Sequence, residues 1–181
     1  TMSTLSVNTI TAETGNTVSL ASGKSLSVPA GVHSPGSVIQ VQNTYSNSTV
    51  STSTAGAAID GVSLSFTPKF NNSKLLIQAR IPIKVYNTNN TGDGWCSIRI
   101  VNSTAPIEPE PNQNYEFGAN FGNTSWADWR HVGFIQVYHT VTSTNADTYK
   151  VQAKLYNAND TLTVNESGNY FSSMTIMEIA Q

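Results

Sequence analysis

The run Gly61–Tyr86, GVSLSFTPKFNNSKLLIQARIPIKVY, restricts this chain more than any other part of it. Val62, Leu64 and Phe66 alternate with Ser63, Ser65 and Thr67. After the turn-forming segment Pro68–Ser73, Leu75, Ile77, Ala79, Ile81, Ile83 and Val85 alternate with Leu76, Gln78, Arg80, Pro82, Lys84 and Tyr86. A period of two gives a strand one buried face, and two such runs across a turn read as a β-hairpin. The register is strongly fixed: a slip of one residue would carry Gln78, Arg80 and Lys84 inward, whereas each large aliphatic buried there contributes roughly 1.5 to 3 kcal/mol. Pro82 has no N–H for a ladder, so the second strand is expected at a sheet edge or at a bulge.

The same period recurs along the chain. Val38–Val41 opens a strand; Cys96, Ile98 and Ile100 alternate with Ser97, Arg99 and Val101; Tyr149, Val151, Ala153 and Leu155 alternate with Lys150, Gln152, Lys154 and Tyr156; Leu162 and Val164 form a short strand. Two segments, Val132–Val141 and Met174–Ile179, are apolar on both faces. No window carries a 3.6-residue period, and about ten short strands divided by turn signals indicate an all-β sandwich, expected to be a jelly roll. Strands with two apolar faces in such a sandwich imply that neighbouring subunits cover one sheet from outside. A closed homotrimer would do so, with Val132, Phe134, Tyr138, Met177 and Ile179 as interface residues.

Ahead of this lies an eight-residue repeat. Asn16–Gly23, NTVSLASG, lies over Lys24–Gly31, KSLSVPAG, with Leu5, Val7 and Ile10 as a degenerate earlier unit. Strands this short bury a core only against neighbours, so residues 1–36 are expected to form a β stalk or attachment segment wound from several copies. The alternative is an N-terminal tail without fixed structure. The break Val32–Ser37, VHSPGS, separates it from a head domain at residues 37–181.

Composition narrows the function. Ser, Thr and Asn supply about a third of the residues and charged residues 11%, against about 25% in ordinary globular proteins. The net charge of -2 and the lack of a basic stripe argue against a nucleic-acid partner. A single cysteine, Cys96, excludes an intrachain disulfide framework and reads as a buried thiol. No apolar run is long enough for membrane insertion, and the first residues have neither the charged region nor the apolar region of an export signal.

Catalytic constellations are sparse. Glu108 and Glu110 flank Pro109 as a solvated edge rather than a glycosidase pair. Asp128 and His131 are spaced for a charge pair, and His131 and His139 fall on the Ile135/Val137 face, where histidine is usually a hydrogen-bonded core or interface group. Asp93 within Asn87–Gly94, NTNNTGDG, reads as turn chemistry rather than a calcium loop. No enzyme activity, cofactor or metal is expected. The stretch Asn102–Arg130, without clear periodicity, reads as a long irregular loop dense in aromatics. Tyr115, Asn120, Asn123, Trp126, Asp128 and Trp129 within it are the residue types that hold a sugar, rings against C–H patches and amides or carboxylates on hydroxyls. The competing reading is that these aromatics cap the sandwich end or the subunit seam.

Several segments taken in order resemble a known family. They are Ser3–Ile10, Thr14–Asn16, Val28–Gly31, Pro35–Gln40, Phe66–Lys69 with Ser73–Leu76, and Met174–Ile179. Together they resemble small tail-fibre and virion fibre proteins of bacteriophages, especially phages of marine bacteria such as cyanobacteria. The resemblance implies a homotrimeric virion component assembled in the host cytoplasm, with a head similar to the tumour-necrosis-factor-like jelly roll. Its implied partners are other tail or capsid proteins and a host surface glycan or protein. The alternative role is a capsid decoration or head-fibre protein without a receptor. The resemblance supplies no catalytic motif, and the 102–130 segment matches no pattern of that family.

Overall fold

The computed structural model describes residues 33–87, 93–103, 105–108, 115–120, 127–157 and 159–181, with the backbone alone for 93, 94, 108, 115–120, 127 and 168. The stalk expected at residues 1–36 lies outside the described residues apart from its last four. His33–Gln181 forms one compact unit.

Among the described residues there are eleven strands: β1 Val38–Ser46, β2 Val50–Thr52, β3 Ala58–Phe66, β4 Lys74–Asn87, β5 Asp93–Val101, β6 Pro106–Glu108, β7 Tyr115–Asn120, β8 Ala127–Thr140, β9 Asp147–Leu155, β10 Asp160–Val164 and β11 Ser172–Ile179. The regular structure besides is a single 3-10 turn at Glu166–Gly168, and no described helix is long and apolar enough to cross a membrane. The chain is all-β, in two antiparallel sheets.

The first sheet is centred on β4. Along one side β4 pairs with β8 over its whole length; along the other it pairs first with β11 and then with β10. β1 and β2 continue outward from β11 and β10 respectively. The second sheet runs β3-β9-β5, with β6 and β7 both on the far side of β5. The facing sides are those the alternation selects. Phe66, Leu75, Ile77, Ile81, Ile98, Ile100, Val151, Leu155, Leu162, Met174 and Ile176 are all buried in one core, and an antiparallel sheet needs only one such apolar side.

Two expectations about the opening stretch are corrected. β3 and β4 do not form a hairpin: β3 pairs with β9 and β4 with β8, β10 and β11, so the segment after Phe66 carries the chain from one sheet to the other. Alternation specifies which side is buried but not which strand lies alongside. Pro82 also sits neither at an edge nor at a bulge, since the β4–β8 register is unbroken through Pro82 and Val132. Its carbonyl accepts the Asn165 N–H at 3.3 Å, on the side where β11 stops opposite Arg80 and β10 stops opposite Ile83. In a strand the N–H and C=O of one residue point the same way. The missing donor of Pro82 therefore falls at the seam between two half-strands, where no ladder bond is lost.

Asn165 fills that seam. It is fully buried in the left-handed conformation, φ 53°, which Asn tolerates better than most residues. Its Nδ2 donates to the Ser48 and Gly61 carbonyls and its Oδ1 accepts from Ser172 Oγ. Gly61 is required nearby, because a Cβ there would stand 2.6 Å from Ser172 Oγ and 2.7 Å from Ile81 Cδ1.

A second buried polar group, Glu178, faces inward from β11 beside Met174 and Ile176 and is 0% exposed. Oε1 accepts from Lys69 N, Phe70 N and Ser73 Oγ; Oε2 accepts from Lys69 N and Gln40 Nε2. Burial alone would raise its pKa, but these donors outweigh burial and hold it below the ordinary value. The carboxylate thereby anchors the crossing segment between the sheets. Cys96 is buried as expected, and burial pushes its thiol up to about 12.

Candidate functional site

The segment 102–130 is not one irregular loop. It contains β6, β7 and the start of β8, short edge strands whose Pro, Gly and Asn residues obscure the period. Tyr115 lies opposite Ile98 and Asn120 opposite Asp93 in the β5–β7 ladder, while Asn123 and Trp126 fall outside the described residues. Trp129 is opposite Val85, half-buried against the core, and stacked on His131 with centroids 5.4 Å apart and planes at 6°. Asp128 is committed to ion pairing. Its Oδ2 lies 2.9 Å from Arg130 Nη1 and 3.4 Å from Lys84 Nζ, and the same two cations reach Glu166, at 2.7 Å from Arg130 Nε and 2.6 Å from Lys84 Nζ. Hydrogen bonds from Arg130 and Lys84 hold the Glu166 carboxyl at about 2. This cluster of alternating sign borders a cleft of about 220 Å³ that Pro82 and Tyr170 also line, and it braces β4, β8 and the 3-10 turn.

His139, on the inner side of β8, meets the Tyr149 ring edge-on at 6.1 Å, and burial lowers its pKa. Among the described residues no group of three or more His, Cys, Asp or Glu is placed to hold a metal ion.

The outer side of the first sheet carries the most unusual surface. Phe134 is 69% and Tyr138 59% exposed on β8, and Tyr45 is 75% exposed on β1 at the opposite edge. The registers arrange this side in rows. Val41, Met177, Leu76 and Tyr138 lie in line across all four positions of the sheet, an apolar row. Beside it runs an amide and hydroxyl row, Asn43, Thr175, Gln78 and Gln136, where Gln78 Nε2 donates to Gln136 Oε1 at 2.8 Å. The next row is Tyr45, Ser173, Arg80 and Phe134. Arg80 places its guanidinium 4.7 Å over the Phe171 ring, and Phe171 meets Tyr45 edge-on at 6.4 Å. Tyr45 and Phe171 also line a shallow trough of about 510 Å³ with Asn43, Ser173 and Thr175. Val132, Met177 and Ile179 are half-buried on this side. Alternation along single strands points to Val132, Phe134, Tyr138, Met177 and Ile179 but not to Tyr45, Arg80 and Phe171, since the rows exist only once the strand order is known.

The two ends of the unit differ. The chain enters and leaves together: Val38 pairs with Ile179, and Gly36 N and Ala180 N donate to Ala180 O and Ser37 O. At the opposite end of β4, Asn87 pairs with Ala127 and Asp160, and Asp160 accepts the Trp95 N–H from β5, near Asp93 and Asn120. Asp128 and Trp129 belong to that far end.

No protein-family model matches this chain, and no curated protein matches it. Among solved structures it is similar to a chain of infectious bursal disease virus, Gx strain, at 12% identity and a TM-score of 0.30. The match covers 84% of this chain and 40% of that one. A likeness this low carries no argument about fold or function.

Proposed function

We propose that this chain is a structural protein of a bacteriophage virion, a homotrimeric tail fibre whose jelly-roll head contributes to attachment at the host surface. The observation that carries the reading is the polarity of the head. Both ends of the compact unit emerge beside Val38 and Ile179, while Asn87, Asp93, Asn120, Ala127 and Asp160 gather at the other end. A head tethered at one pole offers the other to whatever the particle meets.

The jelly-roll assignment draws on the strand order. Counting β1 with β2, β6 with β7 and β10 with β11 as one position each gives eight, paired first with eighth, second with seventh, third with sixth and fourth with fifth. That is the order obtained when one long antiparallel hairpin is rolled into two sheets. The trimer draws on Phe134 and Tyr138, large exposed rings on a strand that is an edge among the described residues. Light scattering should give three times the 19.4 kDa chain mass; a monomer at micromolar concentration refutes it. Immunogold labelling of virions with antibody to this chain should mark the tail, and the purified trimer should adsorb to host cells.

A second reading, a capsid decoration or head-fibre protein without a receptor, is favoured by one observation. Trp129 and Asp128, two residues proposed for a glycan, already have partners within the head. Label over the capsid with no adsorption would select it.

A further inference from the structure

Resting on the trimer reading above, we infer that the contact between copies is heterologous: the β8 edge of one copy, through Phe134 and Tyr138, seats in the Tyr45/Phe171 trough of the next. A threefold ring cannot be closed by a patch meeting itself, which makes twofold dimers, so each copy must present two different and complementary patches. The outer side of the first sheet has such a pair at its opposite edges. β8 carries two exposed rings, and Phe134 also lines a shallow hollow of about 430 Å³ with Gln78, Arg80 and Gln136. The β1 edge has a shallow trough lined by the contacting rings of Tyr45 and Phe171 together with Asn43, Asn47, Ser173 and Thr175.

Two features argue that the occupant is a second copy of this chain. First, among the described residues β8 pairs with β4 alone, and its stretch Val132–Tyr138, VGFIQVY, has no Lys, Arg, Asp, Glu or Pro. Soluble proteins guard a long open edge with such residues unless something covers it. Second, the chemistry matches in kind. The Tyr138 ring with its hydroxyl, and the Phe134 ring, suit a trough lined by two aromatic rings, hydroxyls and amides, where rings can meet edge to face. Fourteen residues of β8 at about 3.4 Å each, across four positions about 4.8 Å apart, give a side of roughly 900 Å², which each copy divides between its two contacts; one contact alone falls below the ~800 Å² per partner of a standard interface, so the assembly holds only as a closed ring.

The test uses the double variant Asn43→Cys/Gln136→Cys with each single variant. Within one copy these residues stand three strands apart in the same row, roughly 14 Å, too far for the ~7 Å limit of a disulfide. Any bond between them therefore joins two copies, and buried Cys96 does not compete. Oxidation of the assembled double variant should convert most of the chain to covalent trimer on a denaturing gel. A 1:1 co-refolded mixture of the two single variants should give mixed covalent dimers, and each single variant alone should stay uncrosslinked. A trimer by light scattering whose double variant does not cross-link overturns the seating of β8 in the Tyr45/Phe171 trough and leaves the trimer standing. Covalent dimers from Gln136→Cys alone overturn it in favour of edge meeting edge. A monomeric native chain overturns both.

Discussion

Replacing Glu178 is the sharpest test of how the two sheets are joined. In Glu178→Ala, Lys69 N and Phe70 N lose their acceptor inside the fold, while Ser73 Oγ keeps the Phe70 carbonyl at 2.9 Å, and each buried donor left unpaired costs about 1 to 3 kcal/mol, so the loss should be roughly 2 kcal/mol or more. For a unit of this size that corresponds to a fall in Tm of about 4 to 8 °C. Glu178→Gln is milder. Its carbonyl can keep the Oε1 position with its three donors, while its amide would face the Gln40 amide. Gln40 could turn its oxygen inward only by giving up its bond to the Thr67 carbonyl, a cost of about 1 to 2 kcal/mol. The pH dependence distinguishes charge from shape. The folded carboxyl titrates below its ordinary value of 4.5, so its stabilisation is present above that pH and fades as pH falls through the lower folded value. Thermal melts of wild type and Glu178→Gln should therefore differ at pH 7 and converge in acid. A constant difference across pH, or a Glu178→Ala variant that melts with wild type, would refute the anchoring argument.

Gly61→Ala should lower stability by about 1 to 3 kcal/mol, since the new methyl group meets Ser172 Oγ and Ile81 Cδ1; an unchanged urea midpoint would contradict this close approach. Phe134→Asp or Tyr138→Asp should dissociate the oligomer in sedimentation experiments, whereas Lys150→Ala, whose ammonium pairs with Asp60 on the second sheet, should not. Trp129→Ala should cost about 2 kcal/mol because the ring packs on the core; a variant with wild-type Tm that no longer adsorbs to cells would return Trp129 to the receptor site.

Side-of-strand assignments were legible in the sequence. The odd residues of β4 and β9 and the even residues of β5 and β10 are inward as alternation requires. Pairing was not, because period two is a property of one strand and partner choice depends on contacts far along the chain. The hairpin expected over Gly61–Tyr86 and the edge or bulge expected at Pro82 failed for that reason. Glu178 shows how the signal can be present and overlooked: it shares parity with Met174 and Ile176, which places it inward, yet a carboxylate there makes sense only once the donors of Lys69, Phe70 and Ser73 are in position. β7 was concealed by Gly118 and Asn120, although Tyr115, Phe117 and Ala119 keep the alternation.

The placement of the first and last strands also decides how the head would bear a load. β1 and β11 lie side by side, antiparallel, with the chain entering at Ser37 and leaving at Ala180 at the same end. Tension applied between those two ends would open the ladder one bond at a time, like a zip. Tension that enters through Ser37 and is taken up at the far end instead runs along the strands. It then strains every bond between Val38–Ser46 and Ser172–Ile179 together. The same strand pair is thus weak against being peeled and strong against being drawn out lengthwise.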